Sequence, residues 1–181
     1  TDEVTLIHQL KETKSKEAAF RELISQYKER LYWHIRKIVI SHDDADDVLQ
    51  NTFIKVFKNI ETFKGDSKLY SWMYRIATNE SITFINKRAK DRKVAISEIH
   101  SELAATLQSD VYFSGDEIQL ILQKAIATLP TKQQLVFNMK YFDELKYSQM
   151  SEILSTSVGA LKASYFHAVK KIEKYIQQNN N

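Results

Sequence analysis

The chain has 181 residues, which corresponds to one large domain or two small ones. Its three glycines and one proline argue against sandwiches, barrels and Rossmann folds, and no glycine-rich phosphate loop is present. Without cysteine, disulfides, thiolate nucleophiles and cysteine-based zinc sites are excluded, and the net charge of +3 hides separate acidic and basic segments. No apolar run approaches the length of a membrane span and no signal-peptide pattern opens the chain, so we expect a soluble, mostly helical protein of the cytoplasm.

The first part of the chain predicts three or four helices, because apolar residues recur there at every third or fourth position. The three that can be placed cover about residues 16–40, 44–60 and 67–90. Residues 91–114 show no sustained helical stripe and are rich in Ser, Ala and acidic side chains, which is typical of a linker. Within it we expect only a transient helix near residues 102–107.

Helical patterns return over about residues 116–128, 131–143, 147–154 and 158–177. The predicted fold class is therefore all-α, with two small helical domains joined by an acidic linker. The predicted boundaries are residues 1–92 for the first domain, 93–114 for the linker and 115–181 for the second domain.

On the second predicted helix, successive side chains advance by 100°, so an apolar stripe and a polar face lie on opposite sides. The polar face carries Asp47, Gln50, Asn51, Ile54 and Lys58. It is either a face exposed to solvent or a docking surface in which Ile54 is the apolar anchor inside a polar rim.

Four aspartates at the start of this helix allow an enzymatic alternative, since aspartate-rich motifs hold Mg²⁺ in prenyl-transferring enzymes. They are Asp43, Asp44, Asp46 and Asp47. Such a site needs convergent carboxylates from a second helix, and the chain has no matching second cluster. We therefore expect no metal, no cofactor, no catalytic residue and no small-molecule substrate.

The third predicted helix combines an aromatic residue with hydrogen-bonding and basic side chains. Trp72, Arg75 and Asn79 lie at helical spacing, and Lys87 and Arg88 follow them. This combination suits an unstacked nucleic-acid strand, because an aromatic ring stacks on bases, an amide bonds base edges and basic side chains neutralise phosphates. Trp72 taken alone is equally consistent with a core residue.

The loop before this helix reads Phe63-Lys64-Gly65-Asp66-Ser67. Gly65 allows a tight backbone path, and Asp66 or Ser67 is a suitable helix cap. The loop is either an ordinary capped turn or a pocket for a single base.

The last two predicted helices form a helix-turn-helix, in which Ser157 is the expected N-cap of the second helix. The outward face of that second helix consists of Ser157, Ala160, Lys162, Ala163, Ser164, His167, Lys170 and Lys171. Small residues at its start and basic residues further on suit a recognition helix in the major groove. The same arrangement also occurs in helical bundles that do not bind DNA.

Together these segments resemble bacterial sigma factors. Residues 46–53, 63–67 and 72–79 resemble region 2, whereas Leu129-Pro130, Gln134, residues 147–153 and residues 158–164 resemble region 4. Two such regions with only a short acidic linker between them are similar to the extracytoplasmic-function (ECF) group, and the wording of residues 159–165 is most similar to versions from the Bacteroidetes. The resemblance covers about residues 16–175, and the order and spacing of the motifs make it highly specific.

The resemblance implies that the protein directs promoter-specific transcription initiation and is not an enzyme. The polar face of the second helix is then implied to dock on the clamp of the largest subunit of core RNA polymerase, with the flap as a further contact. The −10 promoter element is implied to contact Phe63, Lys64, Gly65, Asp66, Ser67, Trp72, Arg75, Asn79, Lys87 and Arg88. The −35 element is implied to contact the outward face of the recognition helix, and the linker to thread the polymerase cleft.

Members of this group usually have an anti-sigma factor, which is often anchored in a membrane. The resemblance therefore implies a cytoplasmic protein that joins the nucleoid when it is active. It also implies that an anti-sigma partner holds the protein at the inner membrane in the inactive state.

The chain departs from the family pattern in three places. Asn51 stands where the family often has Glu, and Thr83 and Asn86 stand where Asp and Arg often form an ion pair. Ser164 and His167 replace frequent arginines, so we expect a different −35 sequence preference. The alternative to a sigma factor is a stand-alone helix-turn-helix regulator, which binds duplex DNA tightly without polymerase.

Overall fold

The computed structural model describes residues 2–110 and 116–179, which form nine α-helices and one short 3-10 helix. Within these residues there is no β-strand, and the all-α prediction is confirmed. The elements are α1 (Glu3–Lys11), α2 (Lys16–Arg36), α3 (His42–Asn59), the 3-10 turn (Ile60–Thr62), α4 (Leu69–Arg92), α5 (Ile96–Gln108), α6 (Glu117–Ala127), α7 (Thr131–Tyr141), α8 (Tyr147–Leu154) and α9 (Val158–Asn179).

The front half of the chain packs α1 to α4 around one apolar core. Ile35 of α2, Val56 of α3 and Met73 of α4 are completely buried there. Their spacing along each helix is the one that predicts the three long helices from sequence. Burial of each such side chain contributes about 1.5–3 kcal/mol, which offsets the entropy lost on ordering the helices.

The predicted linker contains a full helix, so the prediction of a merely transient one is wrong. Helix α5 covers Ile96–Gln108, and its side chains Ile99, Leu103 and Leu107 are buried against α4 and α6. These residues recur at every fourth position, which places them on one face of a helix. Ser97, Glu98 and Ser101 lie on the opposite, exposed side of the helix. Residues 111–114 of the predicted linker lie outside the described residues.

Helix α1 and the start of α4 differ from the expectation as well. No helix is predicted before residue 16, whereas Glu3–Lys11 is helical with Leu6 and Leu10 buried. Neither Asp66 nor Ser67 caps α4. Instead, the carboxylate of Glu3 accepts a hydrogen bond from the Leu69 amide at 3.2 Å, across 66 residues of sequence.

The back half of the chain packs against the front half. Helices α6, α7 and α9 surround a small core of their own that includes Ala125, Phe137 and Ala168. The apolar core of the front half continues onto α7 and α8, where Val136 and Met150 are completely buried. The two predicted domains therefore share a packed interface in which α8 lies against α4.

A polar cluster lies within this otherwise apolar interface. Asp143, which follows α7, accepts a hydrogen bond from the ammonium of Lys37 at 2.9 Å and another from the hydroxyl of Tyr74. The ring of His34 stacks on Tyr74, with centroids 3.8 Å apart, and its Nδ1 lies 3.7 Å from the carboxylate. Residues from α2, α4 and the α7–α8 connection thus meet at a single carboxylate.

The buried His34 should make folding sensitive to acid. Burial lowers the pKa of His34 from 6.5 to about 3, because loss of hydration outweighs the attraction of Asp143, and Lys37 lowers it further. Below pH 6.5 the unfolded chain therefore binds more protons than the folded chain. The stability that the neutral His34 contributes is fully present above that pH and is lost as pH falls towards 3. We expect about 2 kcal/mol less stability at pH 5 than at pH 7 from this group.

Urea unfolding of the parent and of His34→Gln at the two pH values checks this expectation. The variant should lose about 2 kcal/mol less than the parent on acidification, since its amide does not titrate. His100, whose pKa burial also lowers, is present in both proteins and cancels in the difference. Equal losses in the two proteins would contradict the assignment.

Candidate functional site

The polar face of α3 is open to solvent along its whole length. Ser41 begins the helix, and its hydroxyl accepts a hydrogen bond from the Asp44 amide at 3.1 Å. All members of the predicted face are exposed, namely Asp47, Gln50, Asn51, Ile54 and Lys58. Ile54, with 44% of its surface accessible, is the apolar centre of this face.

Phe57 enlarges that apolar centre. Its helical spacing places it in the apolar stripe of α3, which predicts a position in the core. It remains 39% exposed. Its ring packs edge-on against Phe20, with centroids 5.0 Å apart, and the ammonium of Lys16 lies 4.2 Å from its centroid. On a helix, Ile54 and Phe57 are neighbours three residues apart, so α3 presents two adjacent apolar side chains inside a polar rim.

The aspartates at the start of α3 do not all have the same surroundings. Asp44 pairs with Arg88 at 3.1 Å, and Lys55 pairs with Glu80, so ion pairs tie α3 to α4 at both positions. The imidazole of His42 and the carboxylates of Asp43 and Asp46 lie within 4.8 Å of one another. All three are exposed, and the His42 ring already contacts the Tyr32 hydroxyl at 2.5 Å, which is an ordinary surface arrangement.

The loop before α4 has one buried anchor and an exposed tip. Phe63 is only 4% exposed and packs against the half-buried Trp72, with centroids 5.1 Å apart. Its carbonyl accepts a hydrogen bond from Lys11 at 2.5 Å. A direct contact with DNA requires a side chain at the surface. The side chain of Phe63 belongs to the core, so the prediction that it contacts DNA directly does not fit this structure. Gly65 has a φ of +79°, a backbone conformation that favours glycine, and its neighbours Lys64 and Asp66 are exposed.

Beyond this loop, one side of α4 presents hydrogen-bonding and basic groups to solvent. Arg75, Asn79 and Lys87 are exposed, whereas Trp72 is half-buried and Arg88 is engaged with Asp44. We call Trp72, Arg75, Asn79 and Lys87 the α4 face. It is continuous with the exposed loop tip.

A cavity of about 300 Å³ lies between the loop and the back half of the chain. Its front wall consists of Asp66, Ser67, Ser71, Trp72 and Arg75, and Glu152 of α8 completes the wall. The hydroxyl of Ser71 is buried and has no hydrogen-bond partner among the described residues. The position of Glu152 does not follow from local sequence patterns, because it results from the packing of α8 on α4.

The helix-turn-helix has the predicted geometry. Helix α8 ends at Leu154, the following Ser155 has a φ of +51°, and Ser157 caps α9 by accepting a hydrogen bond from the Ala160 amide at 3.2 Å. The predicted recognition face is exposed except for Ser164, which is half-buried. Lys170 lies 3.7 Å from Glu173, an exposed contact that leaves its ammonium accessible. Small side chains at the start of α9 and ammonium groups further along match the needs of a groove-binding helix.

Among the described residues, no helix combines the length and apolarity needed to cross a bilayer. The surfaces described above consist instead of one polar face with an apolar centre and two faces rich in basic and amide groups.

Comparison with protein families assigns both halves of the chain. Residues 23–91 match the Sigma-70 region 2 family, and residues 119–172 match the Sigma-70 region 4 family. The first match contains α3 and nearly all of α4, and the second contains α8 and most of α9.

Curated relatives match almost the entire chain. It is 31% identical over 173 residues to the ECF RNA polymerase sigma factor SigW of Bacillus subtilis, covering 91% of this chain and 92% of the relative. It is 28% identical over 167 residues to the ECF RNA polymerase sigma-E factor of Haemophilus influenzae, covering 88% of each chain.

Solved structures share the fold. CnrH, in complex with the cytosolic domain of CnrY, has a TM-score of 0.70 and 20% identity, and the match covers 98% of both chains. The sigma factor RpoE of Bartonella quintana, in complex with the anti-sigma factor NepR, has a TM-score of 0.67 and 17% identity, over 88% of this chain and 98% of the other. With region 2 in its front half, region 4 in its back half and full-length similarity to curated members, the chain belongs to the ECF family of RNA polymerase sigma factors.

Proposed function

We propose that the polar face of α3 docks on the clamp of the largest subunit of core RNA polymerase, while the α4 face and the α9 recognition face bind the −10 and −35 promoter elements. The observation that carries this proposal is the exposed pair Ile54 and Phe57 inside a rim of Asp47, Gln50 and Asn51. An exposed apolar pair surrounded by polar groups is the usual anatomy of a small protein interface. Within this scheme, residues 1–92 form the unit that binds the polymerase clamp and the −10 element. Residues 115–181 form the unit that binds the −35 element, and residues 93–114 join the two.

The −10 element is proposed to use the loop tip together with the α4 face. Asp66 and Ser67 line the cavity, the exposed Lys64 and Gly65 precede them in the loop, and Arg75 and Asn79 offer hydrogen bonds to an extruded base. The buried Phe63 has a supporting role, because it positions the Trp72 ring. Lys87 contributes phosphate contacts, and Arg88 contributes them only after it leaves Asp44.

The protein acts without a catalytic group of its own, and its partners are macromolecules. An anti-sigma factor is a further proposed partner. In the solved structures, RpoE is bound to the anti-sigma factor NepR, and CnrH is bound to the cytosolic domain of CnrY. Binding of that kind would keep the protein inactive, at the membrane when the partner is anchored there. Release would return it to the polymerase and the nucleoid.

Transcription in vitro tests the proposed function. Core polymerase from a related bacterium is combined with fragmented genomic DNA, with and without this protein. Discrete start sites that depend on the protein support the proposal and reveal the promoter motif. If no new start sites appear and the protein alone binds duplex DNA tightly, it is a stand-alone helix-turn-helix regulator instead.

The basic end of α9 should contribute mainly electrostatic affinity for the −35 element. In Lys170→Ala with Lys171→Ala, the slope of log affinity against log salt should become shallower by about one unit for each lost phosphate contact. Binding of duplex −35 DNA to the polymerase-bound protein, titrated over several salt concentrations, measures this slope.

The matched control is Lys124→Ala with Lys132→Ala, which removes the same charge from exposed positions on α6 and α7. It should leave the slope of the parent nearly unchanged. If both double variants give the parent slope, the two lysines of α9 do not contact phosphate.

A further inference from the structure

We propose that Asp143 is an internal latch that holds α8 against α4, so that in the free protein α8 covers the cavity beside Trp72 while the loop tip and the rest of the α4 face stay exposed. The proposal rests on the proposed function only in taking this surface as the one that binds the −10 element. The latch itself is a property of the isolated chain. It concerns the contact between the two halves and requires no partner.

The latch consists of one carboxylate from the back half and two groups from the front half, the Lys37 ammonium and the Tyr74 hydroxyl. The Asp143 side chain is only 15% exposed. One of its oxygens lies 2.9 Å from the Lys37 ammonium, and the other accepts a hydrogen bond from the Tyr74 hydroxyl. The neighbouring Phe142 ring lies 4.9 Å from the same ammonium, which fixes Lys37 between an anion and an aromatic face.

The hydrogen-bond network assigns a different role to His34. The Thr78 hydroxyl donates its proton to the Tyr74 carbonyl at 2.7 Å, so its oxygen accepts from Nε2 of His34, also at 2.7 Å. Nδ1 of the neutral ring is therefore unprotonated and cannot donate to Asp143. Lys37 and Tyr74 hold the carboxylate, whereas His34 supports the Tyr74 ring from behind.

Closure of the latch narrows the approach of a DNA strand to the cavity beside Trp72, whereas Asn79 and Lys87 further along α4 stay exposed. Helix α8 lies against α4, and Glu152 lines the same cavity as Ser71, Trp72 and Arg75. A strand that approaches these residues meets both the bulk of α8 and an additional carboxylate that repels phosphate. The recognition face of α9, by contrast, remains exposed while the latch is closed.

An ionic latch suits an interface that must open. A buried ion pair contributes little net stability, because dehydration of the two charges offsets their attraction. When the halves separate, Asp143 and Lys37 regain hydration, so opening costs less than it would for a wholly apolar contact. Removal of one partner, however, leaves the other charge buried without compensation and favours the open state.

The absence of natural cysteine allows a direct measurement of the open population. Ser71→Cys places a thiol at a position that is 2% exposed and lines the covered cavity. If only the open protein reacts, the rate of modification by a bulky maleimide is proportional to the open fraction, even when that fraction is small. In this background, Asp143→Asn and Tyr74→Phe should each raise the rate about tenfold or more, since each removes a hydrogen bond to a charged group.

Two controls separate opening of the latch from other effects. Glu144→Gln removes the same charge at the adjacent, exposed position and should leave the rate unchanged. Ser81→Cys lies in α4 at a completely buried position and reports unfolding of the front half. Its rate should stay constant in Asp143→Asn. The proposal is overturned if Asp143→Asn leaves the Ser71→Cys rate unchanged, or if it raises both thiol rates equally.

A binding measurement then connects the latch to the proposed function. If core polymerase binds only the open form, Asp143→Asn should increase the apparent affinity in proportion to the open fraction. If neither protein binds core polymerase, the proposed function fails while the thiol rates still decide the existence of the latch. If both proteins bind core with equal affinity, core polymerase does not distinguish the open form from the closed form, and the connection between the latch and the proposed function is overturned.

Discussion

The double variant Gln50→Ala with Ile54→Ala should bind core RNA polymerase about 30-fold or more weakly than the parent, a loss of about 2 kcal/mol. Ile54 is the exposed apolar centre of the α3 face, and Gln50 lies one helical turn before it. Central anchors of an interface carry most of its affinity, because their surroundings exclude water. Equilibrium binding of labelled protein to purified core polymerase measures the loss.

The control for this experiment is Ser25→Ala with Gln26→Ala, which truncates two exposed side chains on α2. It should retain the affinity of the parent, and both variants should keep the unfolding midpoint of the parent because all four positions are exposed. Unchanged affinity in Gln50→Ala with Ile54→Ala would exclude the α3 face as the docking surface.

The variant Leu103→Ala should lower the free energy of unfolding by about 2–5 kcal/mol, although it lies in the segment whose composition resembles a linker. Leu103 is buried against the rest of the protein, as are Ile99 and Leu107 one turn on either side. Truncation leaves a cavity and removes the transfer free energy of three carbon atoms from the core. Urea unfolding followed by circular dichroism measures the change.

Glu102→Ala, one residue earlier, is the matched control. Its carboxylate forms an exposed ion pair with Arg92 at 2.6 Å, and such pairs contribute less than about 1 kcal/mol. A flexible linker would make the two substitutions equally harmless. Equal unfolding midpoints for Leu103→Ala and Glu102→Ala would therefore show that α5 does not pack in solution as described.

Several elements follow from short-range patterns alone. The three long helices of the front half and the helix-turn-helix were predictable because apolar spacing and the Ser157 cap act within a few residues of each other. The exposed face of α3 follows from the same geometry, since a helix separates its polar and apolar sides at 100° per residue. The order of the motifs was sufficient to identify the sigma-factor family.

Helix α5 shows where such patterns become insufficient. Its apolar residues recur at every fourth position, but the intervening Ser, Ala and acidic residues dominate the composition of the segment. A short amphipathic helix of this kind is marginal by itself and is stabilised by the surfaces it packs against. Those surfaces belong to α4 and α6, which a local pattern does not include.

The amino-acid sequence by itself determined the three long helices of the front half, the four helices of the back half, the solvent-exposed faces of α3 and α9 and the family, because each depends on residues close together in the chain. Only the tertiary structure decided that Phe63 is buried, that Glu3 caps α4 and that Asp143 meets Lys37 across 106 residues. The three-dimensional path of the chain decides which group a carboxylate contacts, because sequence alone does not distinguish among the several lysines and tyrosines that are able to pair with it. The packing of apolar surfaces chooses among them, and that choice is a property of the whole fold.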